Sequence, residues 1–142
     1  MSKEITLEGM DDVLKMLDKV TDPKQIHNSL GKACALVERS AKQKAPKGDG
    51  HLRRSITSRV DDTKREGIVF TTLEYAPYVE YGTGLFAEDG NGRKDVPWHY
   101  QDDKGEWHTT SGMKPQPYMR PALHENRTQI IRILKEGITK DD

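Results

Sequence analysis

Residues 21–46 read TDPKQIHNSLGKACALVERSAKQKAP, and this stretch decides the fold. Thr21-Asp22-Pro23 is a helix start: a capping oxygen, then proline in the first turn, where its missing N–H has no intrahelical acceptor to lose. Ile26, Leu30, Ala33, Cys34, Val37, Ala41 and Ala45 follow at helical spacing, and Pro46 ends the run. The pattern predicts one helix of about 23 residues, roughly 34 Å long. Its stripe shrinks to Ala41 and Ala45, so the far end is expected to lie flat against another element.

Working outward, Ile5 and Leu7 alternate in a short strand over residues 3–8, and Met10, Val13, Leu14 and Leu17 recur as a short helix. Past the turn-rich Pro46–Gly50, the even spacing of Leu52, Ile56 and Val60, with Arg53, Ser55, Thr57 and Arg59 between, predicts a one-sided strand. Gly67–Thr72 is a second strand, expected to pair with the first as an antiparallel hairpin. Tyr75–Tyr81 fits a short helix with Pro77 in its first turn and Gly82 as its left-handed stop. From Gly82 to Arg120 the chain is rich in glycine and proline, too long for an ordinary compact connection. Within it, Pro97–Tyr100 and Glu106–Thr109 flank a turn and predict a small hairpin over 97–109. Leu123, Arg127, Ile130, Leu134 and Ile138 mark a closing helix, with Gly137 weakening its end.

The expected class is therefore α+β. A small antiparallel sheet is packed by the long helix of the N-terminal half and a C-terminal helix, within one domain spanning 1–142 that carries an extended loop over 82–120. Leu, Ile, Val and Phe make up 27 of 142 residues, about 19%, at the edge of the ~20% below which disorder is the rule. Lys plus Arg equals Asp plus Glu at 23 each, so no net repulsion keeps the chain expanded. The balance hides an asymmetry: residues 1–60 carry +4 and residues 61–142 carry −4. A small core on a neutral chain suits a protein that completes its burial against partners. With no apolar leader at Met1–Leu7 and no run of ~20 apolar residues, the expectation is a protein made and kept in cytosol, without membrane contact.

Single Cys34 excludes a disulfide framework and a multi-cysteine zinc site, and its place on the apolar stripe predicts a buried, inert thiol. Gly82-Thr83-Gly84 lacks the lysine and the following helix of a phosphate loop. No metal site is expected, since His99 and His108, the best candidates, are only two ligands: a four-residue hairpin loop sets them opposite on one face, whereas a three-residue loop separates them and leaves surface or interface histidines. Arg53-Arg54, in a basic stretch from Lys32 to Arg59, is a candidate phosphate contact, and non-specific DNA contact stays open beside a solvated charged face.

Three blocks carry a resemblance. They are Ala45-Pro46-Lys47-Gly48-Asp49-Gly50-His51-Leu52-Arg53-Arg54-Ser55-Ile56, Tyr75-Ala76-Pro77-Tyr78-Val79-Glu80-Tyr81-Gly82-Thr83-Gly84, and Pro115-Gln116-Pro117-Tyr118-Met119-Arg120-Pro121-Ala122-Leu123. Together they resemble the gene-product-ten-like family of phage HK ninety-seven, small virion proteins of the neck or tail-completion region of long-tailed bacteriophages. The resemblance spans about residues 5 to 138. The family usually has an apolar residue, an acid and a threonine at Lys47, Gly48 and Asp49, and phenylalanine at Tyr118.

The resemblance implies a head-tail joining or tail-completion role without catalysis or cofactor, as a ring-forming homo-oligomer in the virion that contacts other neck and tail proteins. Trp98, Trp107 and Tyr118, with Arg53 and Arg54, are the expected subunit contacts, while Glu80 with Tyr75, Tyr78 and Tyr81 either fixes the short helix or joins the contact. The competing classes are a DNA-contacting packaging accessory and a small metal-dependent enzyme.

Overall fold

The computed structural model describes residues 22–48, 50–90, 92–102 and 104–139, the side chains of 138 and 139 apart. The strand expected over 3–8 and the helix after it lie outside the described residues. Contacts divide the chain into two compact units, one of residues 73–117 and one holding the remaining described residues. The architecture is mixed helix and sheet, with two small antiparallel two-stranded sheets.

The larger unit is built around helix α1, Pro23–Lys44. Asp22 caps it, its carboxylate accepting from Lys24 N at 3.0 Å, an arrangement worth about 1 kcal/mol. Ile26, Leu30, Ala33, Cys34, Val37 and Ala41 are buried along one face, each of the large aliphatic groups contributing about 1.5–3 kcal/mol. That face meets every other described element of the unit: α2 (His51–Ser55), strands β1 (Thr57–Asp61) and β2 (Glu66–Phe70), and, past residues 73–117, helices α4 (Met119–Glu125) and α5 (Arg127–Thr139). Close approach needs small residues. A side chain at Gly67 of β2 would overlap the Cys34 thiol.

The segment expected to be strand from Leu52 onward begins instead as helix α2, and strand geometry starts only at Thr57. A spacing of four suits both periods: Leu52 and Ile56 are one helical turn apart, and both are buried. Gly50, at φ +84°, turns the chain into that helix, and Arg54 N donates back to Gly50 O at 3.0 Å. Ser55 Oγ donates to Leu52 O at 2.6 Å and lies 2.7 Å from Thr71 Oγ1, tying α2 to the end of β2. β1 and β2 then pair antiparallel from Thr57↔Phe70 to Asp61↔Glu66.

The closing helix is two helices. Asn126 breaks it: its Nδ2 donates to Ala122 O at 2.7 Å and to Ser40 Oγ at 3.0 Å, so one side chain ends α4 and ties the break to α1. Its own carbonyl then accepts Ile130 N at 2.9 Å and opens α5. Lys44 and Glu125, 2.6 Å apart, fasten the same junction to the last turn of α1. Ala41 and Ala122, both at 0% exposure, keep this end flat, as the alanine end of the stripe implies.

Unit 73–117 begins at Leu73 rather than at Gly82, and so includes helix α3, Ala76–Tyr81. A 3-10 turn at Gly84–Phe86 and the hairpin of β3 (Trp98–Gln101) and β4 (Trp107–Thr110) complete it.

Candidate interaction surface

In α3 the residues Ala76, Val79 and Glu80 fall at helical spacing and are buried. The same spacing turns Tyr78 to the other side, where it is exposed, and Tyr75, at the helix start, is exposed as well. Gly82 stops the helix at φ +84°, its N–H donating to Tyr78 O at 2.8 Å. Thr83 and Gly84 then close against Ser111–Met113. Thr83 N donates to Met113 O at 2.9 Å, Leu85 N to Ser111 O at 3.0 Å, and Met113 N to Thr83 Oγ1 at 2.9 Å. The two backbones run so close that a Cβ on Gly84 would overlap Ser111 O, and one on Gly112 would overlap Thr83 O. Gly-Thr-Gly is thus a backbone latch, which accounts for two glycines around one hydroxyl without a phosphate. Directly after it, Leu85, 61% exposed, and Phe86 face solvent.

The hairpin pairs Trp98 with Thr110, His99 with Thr109, Tyr100 with His108 and Gln101 with Trp107. Asp102 N donates to Glu106 O at 2.9 Å and Gly105 takes φ +84°, so the loop within this closing pair has three residues. That register corrects the His99–His108 pairing: the two imidazoles point to opposite faces. His99 Nδ1 lies 2.8 Å from Thr109 Oγ1, while His108 stacks on Tyr100 with centroids 5.2 Å apart. Asp102 holds the turn. Its Oδ1 accepts Lys104 N and Glu106 N, each at 2.9 Å, and its Oδ2 lies 2.7 Å from His108 Nε2. The His108 hydrogen bond first, and the Glu106 amide next, hold the Asp102 carboxyl below the usual carboxylate range. Asp102, Glu106 and His108 present ligand atoms within 4.8 Å of one another, the one such trio among the described residues, but Glu106 and His108 are exposed, and exposed groups of this kind commonly stand together without an ion.

Of the aromatic residues singled out as contacts, Trp107 is 70% exposed. Trp98 is half-buried beneath the Arg93 guanidinium, 5.0 Å from its ring centre. Tyr118 is a correction: at the start of α4 it is 1% exposed, a core group and no surface anchor. Arg53 and Arg54 stand on α2 rather than on a strand, Arg53 half-buried and Arg54 exposed. Cys34 is buried, and that burial pushes its thiol pKa up. Leu85 and Phe86 belong to no helical or strand pattern in the sequence, although two large apolar residues directly after a glycine stop are a usable sign.

All six large hydrophobic residues exposed among the described residues, Tyr75, Tyr78, Leu85, Phe86, Tyr100 and Trp107, lie in unit 73–117. Among the described residues, the other unit holds every buried hydrophobic residue except Ala76 and Val79.

The family described as "Bacteriophage HK97-gp10, putative tail-component" matches residues 8–82, more than half the chain. The chain belongs to this family. Its α3 block, up to Gly82, falls inside the HK97-gp10 match, whereas the hairpin and the block around Tyr118 lie beyond it. No curated protein and no solved structure matches the chain. No helix among the described residues is long and apolar enough to cross a membrane.

Proposed function

We propose that this HK97-gp10 family member is a ring-forming, non-catalytic subunit of the head-tail connection or tail-completion region of a long-tailed phage, made in the host cytoplasm and incorporated into the virion. The observation that carries this reading is the placing, among the described residues, of every exposed large hydrophobic residue in unit 73–117. Scattered apolar residues are ordinary on a surface, but their confinement to one unit of a chain this poor in apolar residues fits burial completed by neighbouring subunits. Tyr and Trp anchors in such a contact typically carry a large part of its energy. The contacts pair the chain with itself and with other neck and tail proteins.

Deleting the gene from its phage and imaging the lysate tests the role. Separated filled heads and finished tails are expected; empty heads would instead assign the chain to packaging, as a DNA-contacting accessory.

A further inference from the structure

On the larger unit, an open groove of about 460 Å³ is lined by Glu38, Arg39, Lys42 and Gln43 of α1 and by Arg53 of α2. Three cations share it with one carboxylate. Lys42 Nζ stands 3.9 Å from Glu38 Oε2, at the outer limit of an ion pair. Among the described residues no acidic group pairs with Arg39 or Arg53. Arg53 Nε is moreover buried without any hydrogen-bond partner, and among the described residues it is the one side-chain atom in that position. Such atoms are rare because a buried donor has given up its hydration for nothing, and the half-buried Arg53 side chain makes good that loss when its guanidinium turns toward an anion in the groove.

We propose that this groove receives an acidic side chain from a neighbouring copy of the chain, with Arg53 as its anchor and Arg39 and Lys42 flanking it. The inference rests on the reading of the chain as a self-associating subunit. A guanidinium turned toward a carboxylate donates from two nitrogens at once, a fit that lysine lacks. The lining favours protein over nucleic acid. Glu38 repels a phosphate chain, whose charges come every ~1.7 Å of duplex axis, whereas a peptide segment brings donors for Glu38 and both donors and acceptors for Gln43. The neutral chain has no net field to draw a polyanion, while the local excess of three cations over one carboxylate suits a single acidic side chain.

The test uses the full chain, half of it labelled with nitrogen-15, mixed and treated with a carbodiimide. The reagent takes up the water lost as the Lys42 amine and an adjacent carboxylate condense to an amide. A peptide joining Lys42 of one isotope to an Asp or Glu of the other is expected. In sedimentation equilibrium, Arg53→Gln and the exposed Arg39→Gln should each raise the dissociation constant of the oligomer at least tenfold and flatten its salt dependence, with Arg53→Lys recovering part. Circular dichroism confirms that each variant is folded. If both Gln variants associate as the wild type does, this inference fails and the ring reading stands. A wild type that is monomeric at every concentration and absent from virion rings overturns the ring reading itself, and this inference with it. Association unchanged in Arg53→Gln, with weakened retention of a 30-base-pair DNA duplex, would give the groove to phosphate and overturn the proposal.

Discussion

Gly137 of α5 lies directly against Ser29 of α1, where the Cβ of any other residue would overlap the Ser29 hydroxyl. Sequence pattern gives this glycine a weakening role, since it costs about 1 kcal/mol against alanine within a helix. The packing reverses the sign. Gly137→Ala is expected to lower unfolding free energy by about 1–3 kcal/mol, the usual cost of overfilling a packed contact, even after the propensity gain. Urea denaturation measures it; an unchanged or higher midpoint would mean that the two helices part at no cost.

Trp107→Ala and Tyr78→Ala should separate folding from assembly. Both side chains are exposed, so thermal stability is expected to move by no more than about 0.5 kcal/mol. Ring formation and phage infectivity should nonetheless fall sharply, because aromatic anchors dominate contacts of this kind. Calorimetry beside negative-stain microscopy checks both halves of the statement.

Cys34 should resist thiol reagents in the folded protein and react once the chain is unfolded. Burial raises its pKa, so the folded state keeps the proton that the unfolded state releases. Stability from this group is therefore level below the ordinary thiol value of about 8.5 and declines as pH rises beyond it. Melts in alkaline buffer, compared with Cys34→Ala, report the difference; equal decline in both would remove the thiol as its cause.

At the hairpin the sign is opposite. The Asp102 carboxyl is held low, chiefly by His108, so its support of the turn is present above the ordinary carboxylate value of about 3.9 and is lost as pH falls through the folded value. Cross-strand nuclear Overhauser contacts between Tyr100 and His108 should persist at pH 5 and fade under strong acid. In Asp102→Asn they should already be weak at neutral pH. Zinc is expected to leave the melting temperature unchanged, since Glu106 and His108 are exposed and water competes for the ion.

The helix from Asp22 to Ala45 was legible because its signals are local: a cap, a proline and a stripe, all within one segment. Local too were the short helix before Gly82 and the β1–β2 hairpin. The start of β1 was not, because Leu52 and Ile56, four residues apart, suit a strand face and a helical turn equally. Asn126 looks like any polar residue in a helical pattern, and what makes it a break is a hydroxyl at Ser40, far back in the chain. Likewise nothing beside Gly84 announces that Gly112 will close on it. Tyr118 shares its chemistry with the exposed tyrosines, and only the assembled core tells them apart.

The groups that hold the body together and the aromatic groups left to water occupy different stretches of one chain. Natural selection can therefore work on them separately. On the proposed role, substitutions between Leu73 and Pro117 would retune what the subunit docks onto while the helix pairing around Ser29, Ser40 and Asn126 stays untouched, giving a phage a way to follow a changing neighbour without rebuilding its own part.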